Sequence, residues 1–222
     1  MCRIAGIAGL PFNAADAYQW VSAMCNVQAH GGPDDAGINQ FTEAGITLGH
    51  RRLSLLDVSN CGHQPMAYLN HLHISYNGEI YNFKSIKSEL TQIGHQFKSQ
   101  TDTEVIMAAY NQWGTAAFNR FEGMFAFALW DAQTQQLILA RDATGIKPLY
   151  YKHSSTGLSF ASEIRAMATL PHMQEDATWP VQLMAFGHLP EPVTTLQNVK
   201  PIPKGCFLQY SPSTNTVSWV SK

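Results

Sequence analysis

The sequence predicts an α+β fold, and three observations carry that prediction. Within residues 14–27 the apolar side chains Ala17, Trp20, Val21 and Met24 recur at helical spacing. Two more helical stretches lie in the middle of the chain, between an early and a late group of strand-like segments. From Gly123 onward the apolar runs are short and separated by turn residues, the pattern of antiparallel sheets. Strands that come early and late, with helices between them, bury their apolar faces best as sheets packed together with helices outside.

Each element follows in order. Residues 3–9 are short, apolar and β-compatible, so Cys2 stands at the mouth of a buried strand. The helix over 14–27 ends in His30-Gly31-Gly32-Pro33-Asp34-Asp35, a loop by its glycines and proline. A strand and turn occupy 46–58. A second strand starts with the alternation of 71–76 and runs into Asn77-Gly78-Glu79-Ile80-Tyr81-Asn82. Residues 83–93 form a helix closed by Gly94, and Thr101 with Glu104 has capping-box spacing ahead of the next helix. Strands follow at 124–130, 136–140, 149–152 and 158–161. Beyond Pro171 six prolines favour extended segments and turns, and the stretch reads either as a tail of the same domain or as the start of another.

Composition sets the outer bounds. A chain of 222 residues holds one large domain or two small ones. With 45% hydrophobic residues and a net charge of −2 it suits an ordinary globular core, without the electrostatic footprint of a nucleic-acid or membrane-surface binder. No basic, then apolar, leader opens the chain, so neither a signal peptide nor a membrane span is expected. The four cysteines lack CxxC spacing and read as reduced thiols of a cytoplasmic protein. His71 and His73 share a strand face, but with no third ligand in view no metal site is assigned.

The chemistry begins at Met1-Cys2. Removal of the initiator methionine would leave a thiol nucleophile and a free α-amine on one residue, with unperturbed pKa values of about 8.5 and about 7.7–8.0. Proton exchange between such groups is easy near neutral pH, and the thiolate is the reactive form. Attack on a carboxamide needs donors aimed at the developing oxyanion. Asn77 offers a side-chain NH₂, and Gly78 a backbone N–H that a ligand can approach closely. An amino-acid substrate also needs a cation for its carboxylate and an anion for its ammonium. Arg52 suits the first by its planar fork, with neighbouring Arg51 on the opposite strand face, and Asp102 suits the second. Singly each has a plainer reading: Asn77-Gly78 as a type I′ turn, Arg52 as a surface arginine, Asp102 as a partner of the helix dipole.

Together the motifs are specific. Met-Cys at the start, His-x-Arg-Leu-Ser at 50–54, Asn-Gly-Glu-Ile-Tyr-Asn at 77–82, Thr-Asp-Thr-Glu at 101–104, Gly-Met-Phe-Ala-Phe at 123–127 and Ala-Arg-Asp-x-x-Gly-Ile-Lys-Pro-Leu-Tyr-Tyr at 140–151 occur in this order. The set resembles the class II glutamine amidotransferases, and most of all the glutaminase domain of glutamine-hydrolysing asparagine synthetases. The resemblance implies the N-terminal nucleophile hydrolase fold, an αββα sandwich of two mostly antiparallel sheets between helical layers, over 1–222. It implies Cys2 as nucleophile with its α-amine as base, Asn77 and Gly78 as oxyanion hole, Arg52 for the glutamine α-carboxylate, and Asp102 with Glu79 for its α-amine.

The implied activity is hydrolysis of L-glutamine to glutamate and ammonia through a γ-glutamyl thioester. The implied partner is a fused C-terminal ATP-dependent synthetase domain, lying outside this chain, which uses ATP and Mg; this domain itself needs no cofactor. A homodimer is left open. Two positions depart from the family pattern: Arg3 follows the nucleophile where glycine is usual, and Gly31 stands in the His-Arg-Gly-Pro-Asp loop where arginine is usual. They keep in view a rival reading, a non-catalytic glutamine-binding or regulatory module. A third reading, an amidase for acyl amides, leaves Arg52 and Asp102 without a purpose.

Overall fold

The structure, a computed structural model, describes residues 1–9, 13–171 and 173–221. Strand β1 (Arg3–Ala8) is central in a six-stranded antiparallel sheet, flanked by β3 (Ile46–Arg52) and β9 (Gly157–Ala161). Beyond them lie β2 (Asp35–Phe41) on one side, and β8 (Tyr150–Ser154) and the two-residue β10 (Lys200–Pro201) on the other. The second sheet runs β12 (Thr216–Ser221), β11 (Cys206–Ser211), β7 (Gln136–Arg141), β6 (Gly123–Asp131), β5 (Leu72–Ile80) and β4 (Met66–Tyr68), again antiparallel throughout.

Strand parity explains the layering. In β1, Ile4 and Ala8 face the second sheet, where they meet Ala126, Ala128, Trp130 and Leu139. Ala5 and Ile7 face outward against α1 (Ala14–Val27) and its buried Val21 and Met24. β1 is therefore apolar on both faces, which is why its sequence shows no alternation. In β6, Ala126, Ala128 and Trp130 point between the sheets, while Phe125, Phe127 and Leu129 point to α2 (Phe83–Gln92) and α3 (Asp102–Trp113). The result is helix, sheet, sheet, helix.

The expected helices sit within a residue of their anticipated bounds, because caps as well as periodicity mark them. Asn13 caps α1 by accepting from the Ala15 N–H, and Thr101 caps α3 by accepting from the Glu104 N–H. The capping box at α3 is only half made. Glu104 turns its carboxylate to the N–H groups of Lys98 and Ser99 and to the Ser99 hydroxyl instead of reaching back to Thr101. The region past Pro171 resolves as part of the same domain: β10 joins one sheet, β11 and β12 the other. β10, β11 and β12 lie where the sequence reading placed only extended segments, and two strands ahead of Pro171 escaped it altogether. β2 has no buried residue and weak alternation, and β4 is three residues long. Among the described residues no helix is long and apolar enough to cross a membrane.

Candidate active site

The chain's first strand and the ends of its neighbours build one cleft. Cys2, directly ahead of β1, shares a small open cleft with Arg52, Gly78, Glu79 and Asp102. Four elements distant in sequence thus converge on one place. β1 delivers Cys2, β3 delivers Arg52, β5 delivers Gly78 and Glu79, and the first turn of α3 delivers Asp102.

Cys2 is half-buried, with Sγ accepting from the Leu53 N–H at 3.3 Å and close to the Leu53 carbonyl at 3.6 Å. Burial pushes the thiol pKa up, against the opposing pull of the Leu53 backbone bond, the terminal ammonium and Arg52. The charge of Arg3 does not offset this. Cys2 therefore needs a base to reach the thiolate. Cys25 is a contrasting case: buried in α1, its thiol is pushed up to about 12 by burial and is chemically inert.

Asn77 and Gly78 are not a hairpin turn. Both lie inside β5, paired with Ala126 and Phe125 of β6. Gly78 is required there by close approach, since a Cβ would stand 2.3 Å from the Met124 carbonyl oxygen and 2.6 Å from the Phe125 Cα. Its backbone reaches the cleft, while the Asn77 side chain is buried behind it and does not line the cleft wall. Neither Nδ2 nor Oδ1 of Asn77 has a hydrogen-bond partner among the described residues.

Arg52 is buried, and its guanidinium donates to the carbonyls of Ser59 (3.0 Å) and Asp57, tying down the loop that follows β3. Arg51 turns the other way, its Nε donating to the Gly32 carbonyl at 3.1 Å. The expected division of the two arginines between strand faces is what the structure has.

Asp102 is buried, and Oδ2 accepts from the Tyr76 hydroxyl at 2.6 Å and the Ile80 N–H at 2.8 Å. Burial raises its pKa against those two bonds. Glu79 is pushed up to about 7, by burial first and the Asp102 charge second, with Lys147 opposing. Two carboxylates that repel each other in a desolvated corner are a place where a bound ammonium relieves strain on both.

Tyr76 and Leu53 were not singled out by sequence reasoning. One positions Asp102 and the other holds the thiol, and both act through contacts that residue type alone does not announce. Lys147 lies in the turn of the 140–151 motif, just after β7. Asp142 does fix that turn, accepting from the N–H groups of Phe125, Ile146 and Lys147, and Arg141 spans the same turn through the carbonyls of Lys147 and Gly145. The Lys147 side chain is itself buried, and Nζ abuts Met1 Sδ. His71 and His73 are held by other contacts. His71 Nδ1 lies 2.9 Å from the Leu69 carbonyl, and His73 packs against Phe41 with ring centroids 4.4 Å apart and planes tilted by 50°.

The two departures from the motif pattern meet in space. The Arg3 side chain leaves the cleft and lies against Gly31. The 29–34 loop is anchored without an arginine of its own. Gly32 accepts from Arg51, the Asp34 N–H donates to the Arg52 carbonyl at 3.0 Å, and Asp34 Oδ2 accepts from the Ser54 N–H at 2.8 Å.

Comparison with known proteins decides the family. A match to the glutamine amidotransferase domain family runs over residues 1–219. The chain is a class II glutamine amidotransferase domain. It is 36% identical over 213 residues to "Asparagine synthetase [glutamine-hydrolyzing] 1" of Bacillus subtilis, covering 92% of this chain and 33% of that one. To the "Putative asparagine synthetase [glutamine-hydrolyzing]" of Mycobacterium tuberculosis it is 33% identical over 226 residues, covering 93% of this chain and 34% of the relative. The chain thus spans about a third of the length of these relatives. Among solved structures, glutamine phosphoribosylpyrophosphate amidotransferase from B. subtilis superposes with a TM-score of 0.71 at 19% identity, over 99% of this chain and 49% of that one. That likeness establishes the N-terminal nucleophile sandwich for this amidotransferase domain.

Proposed function

We propose that this amidotransferase domain hydrolyses L-glutamine to glutamate and ammonia with Cys2 as nucleophile. The observation that carries the reading is the convergence of Cys2, Arg52, Gly78, Glu79 and Asp102 on one cleft. With Met1 removed, the α-amine of Cys2 takes the thiol proton, and Sγ forms a bond to the glutamine amide carbon. The Gly78 N–H receives the oxyanion, and the Asn77 NH₂, buried behind Gly78 and otherwise lacking a partner among the described residues, turns toward the cleft to join it. The C–N bond then breaks as the α-ammonium returns its proton to the leaving nitrogen, giving ammonia and a γ-glutamyl thioester. Water, deprotonated by the same amine, cleaves the thioester to glutamate.

Substrate selection follows from charge. Arg52 pairs the α-carboxylate, and Asp102 with Glu79 pairs the α-ammonium, so an amide lacking either group leaves buried charge unpaired. The named relatives support a further step, delivery of the ammonia to a synthetase domain in the manner of an asparagine synthetase; the use of ATP and Mg by that domain follows from the motif resemblance alone. The raised Cys2 pKa is the observation on the side of a non-catalytic glutamine-binding module. One experiment separates the readings: ammonia release from L-glutamine by protein whose mass shows that it begins at Cys2. Release that C2A loses, about a thousandfold or more, supports the hydrolase. Undiminished release by C2A, or tight glutamine binding without ammonia, overturns it.

A further inference from the structure

Arg3 opens β1 one residue after the nucleophile, and strand alternation sends its side chain to the face opposite Cys2. There Nε pairs with Glu163 Oε1, and Nη1 curls back to donate to the carbonyls of Met1 and Cys2, both at 2.9 Å. Glu163 is itself held by Arg165 Nε at 2.5 Å and approached by His30 Nε2 at 3.1 Å. A single planar guanidinium thus bridges the backbone of residue 2 to the segment that follows β9.

The room for this bridge comes from the loop after α1. A Cβ at Gly31 would stand 2.7 Å from Arg3 Cζ and 2.8 Å from its Cγ and Nε, closer than side-chain carbons approach. Gly31 ends a short 3-10 turn (Ala29–Gly31) and is not among the glycines with positive φ, so its backbone would accept another residue. Contact with Arg3 is what favours glycine, since a Cβ would push the arginine from its present position.

We propose that Arg3 is a positioning residue for the Cys2 nucleophile, and that Arg3 and Gly31 work as an interlocked pair. The guanidinium that tethers the Cys2 carbonyl fits only because position 31 carries no side chain. The proposal rests on the reading of Cys2 as nucleophile. Removing Met1 takes away one of the two carbonyls that Arg3 holds and leaves the other. Sheet pairing of β1 begins at Arg3 with Arg51, so the new terminal residue lies outside the ladder. The bond from Arg3 Nη1 then limits rotation of the residue that carries both nucleophile and base. Misplacing such a group by about 1 Å is enough to cost orders of magnitude in rate.

The test is a cycle of R3G, G31A and R3G/G31A, with R3K alongside and every protein verified to begin at Cys2. R3G is expected to lower kcat for ammonia release about tenfold with KM for glutamine within about twofold. R3K recovers only part of the loss, because an ammonium lacks the fork that spans Glu163 and the Cys2 carbonyl. G31A is expected to lower kcat and the thermal midpoint when Arg3 is present, and neither further in the R3G background, where nothing remains for the Cβ to displace. Equal effects of G31A in both backgrounds overturn the interlock. A lower midpoint with unchanged kcat in R3G overturns the positioning role. Should C2A release ammonia at the wild-type rate, the nucleophile reading fails and the positioning role with it. Non-additivity in the midpoints reports on the interlock independently of that outcome. G31A, directed at the flexible end of Arg3, keeps the test open should R3G fail to fold.

Discussion

The two walls of the cleft are built on opposite principles. On the Asp102 wall the polar groups are already paired, with a carboxylate accepting from the Tyr76 hydroxyl and the Ile80 N–H at the start of a capped helix. On the Cys2 wall they are not. The thiol has only the Leu53 backbone among the described residues, its pKa is raised by burial, and behind this wall the Asn77 amide is buried without a partner among them. A paired wall holds its shape before substrate arrives. An unpaired wall costs stability in the free protein and, in the reaction proposed, gains its bonds only when charge develops on a reacting carbonyl. That is the arrangement in which binding energy appears in the transition state and not in the ground state.

Substitution on each wall separates these roles, and Asn77 is expected to give the largest effect. N77A should lower kcat about 10²–10³-fold, the range for loss of one oxyanion donor, with little change in KM. Its thermal midpoint should fall little, because no hydrogen bond to a described residue is lost with the amide. Steady-state kinetics beside a melting curve checks both. A kcat within threefold of wild type would remove Asn77 from the oxyanion hole. D102N should show the reverse pattern, with KM for glutamine up about 10–100-fold, from the typical contribution of a hydrogen bond to a charged group. A D102N protein with unchanged KM would mean that this wall is not used as described.

The difference between the walls also marks what the sequence could reveal. The helices and most strands were legible because caps, periodicity and turn residues are local, and local patterns lie open in a linear chain. Arg52, Gly78, Glu79 and Asp102 were legible as a set only through ordered motifs, since nothing local says that β3, β5 and α3 end at one cleft. Tyr76 was invisible, because a tyrosine in an alternating strand reads as core until its hydroxyl is found 2.6 Å from a carboxylate. Arg3 and Gly31 were legible only as two separate departures. That one makes room for the other depends on a β-strand and a loop meeting in three dimensions, 28 positions apart in the chain.

Glu79 stands where the two walls join, and it gives the smallest and most pH-specific effect. Its carboxyl is pushed up to about 7 by burial and by Asp102, against an ordinary glutamate value near 4.5. Between those two values the folded protein holds a proton that the unfolded chain has released. Stability therefore falls as pH rises from about 4.5 to about 7, and the penalty is complete above 7. E79Q removes the ionisation and should raise the thermal midpoint at pH 8 while leaving it nearly unchanged at pH 4. The same substitution should raise KM for glutamine a few-fold at pH 8, the size expected for one partly exposed charge pair. In the wild type, KM should rise as pH drops through about 7 and the carboxylate is lost; in E79Q that portion of the profile should be flat. A KM profile with the same inflection in both proteins would assign the titration to another group and leave the α-ammonium to Asp102 alone.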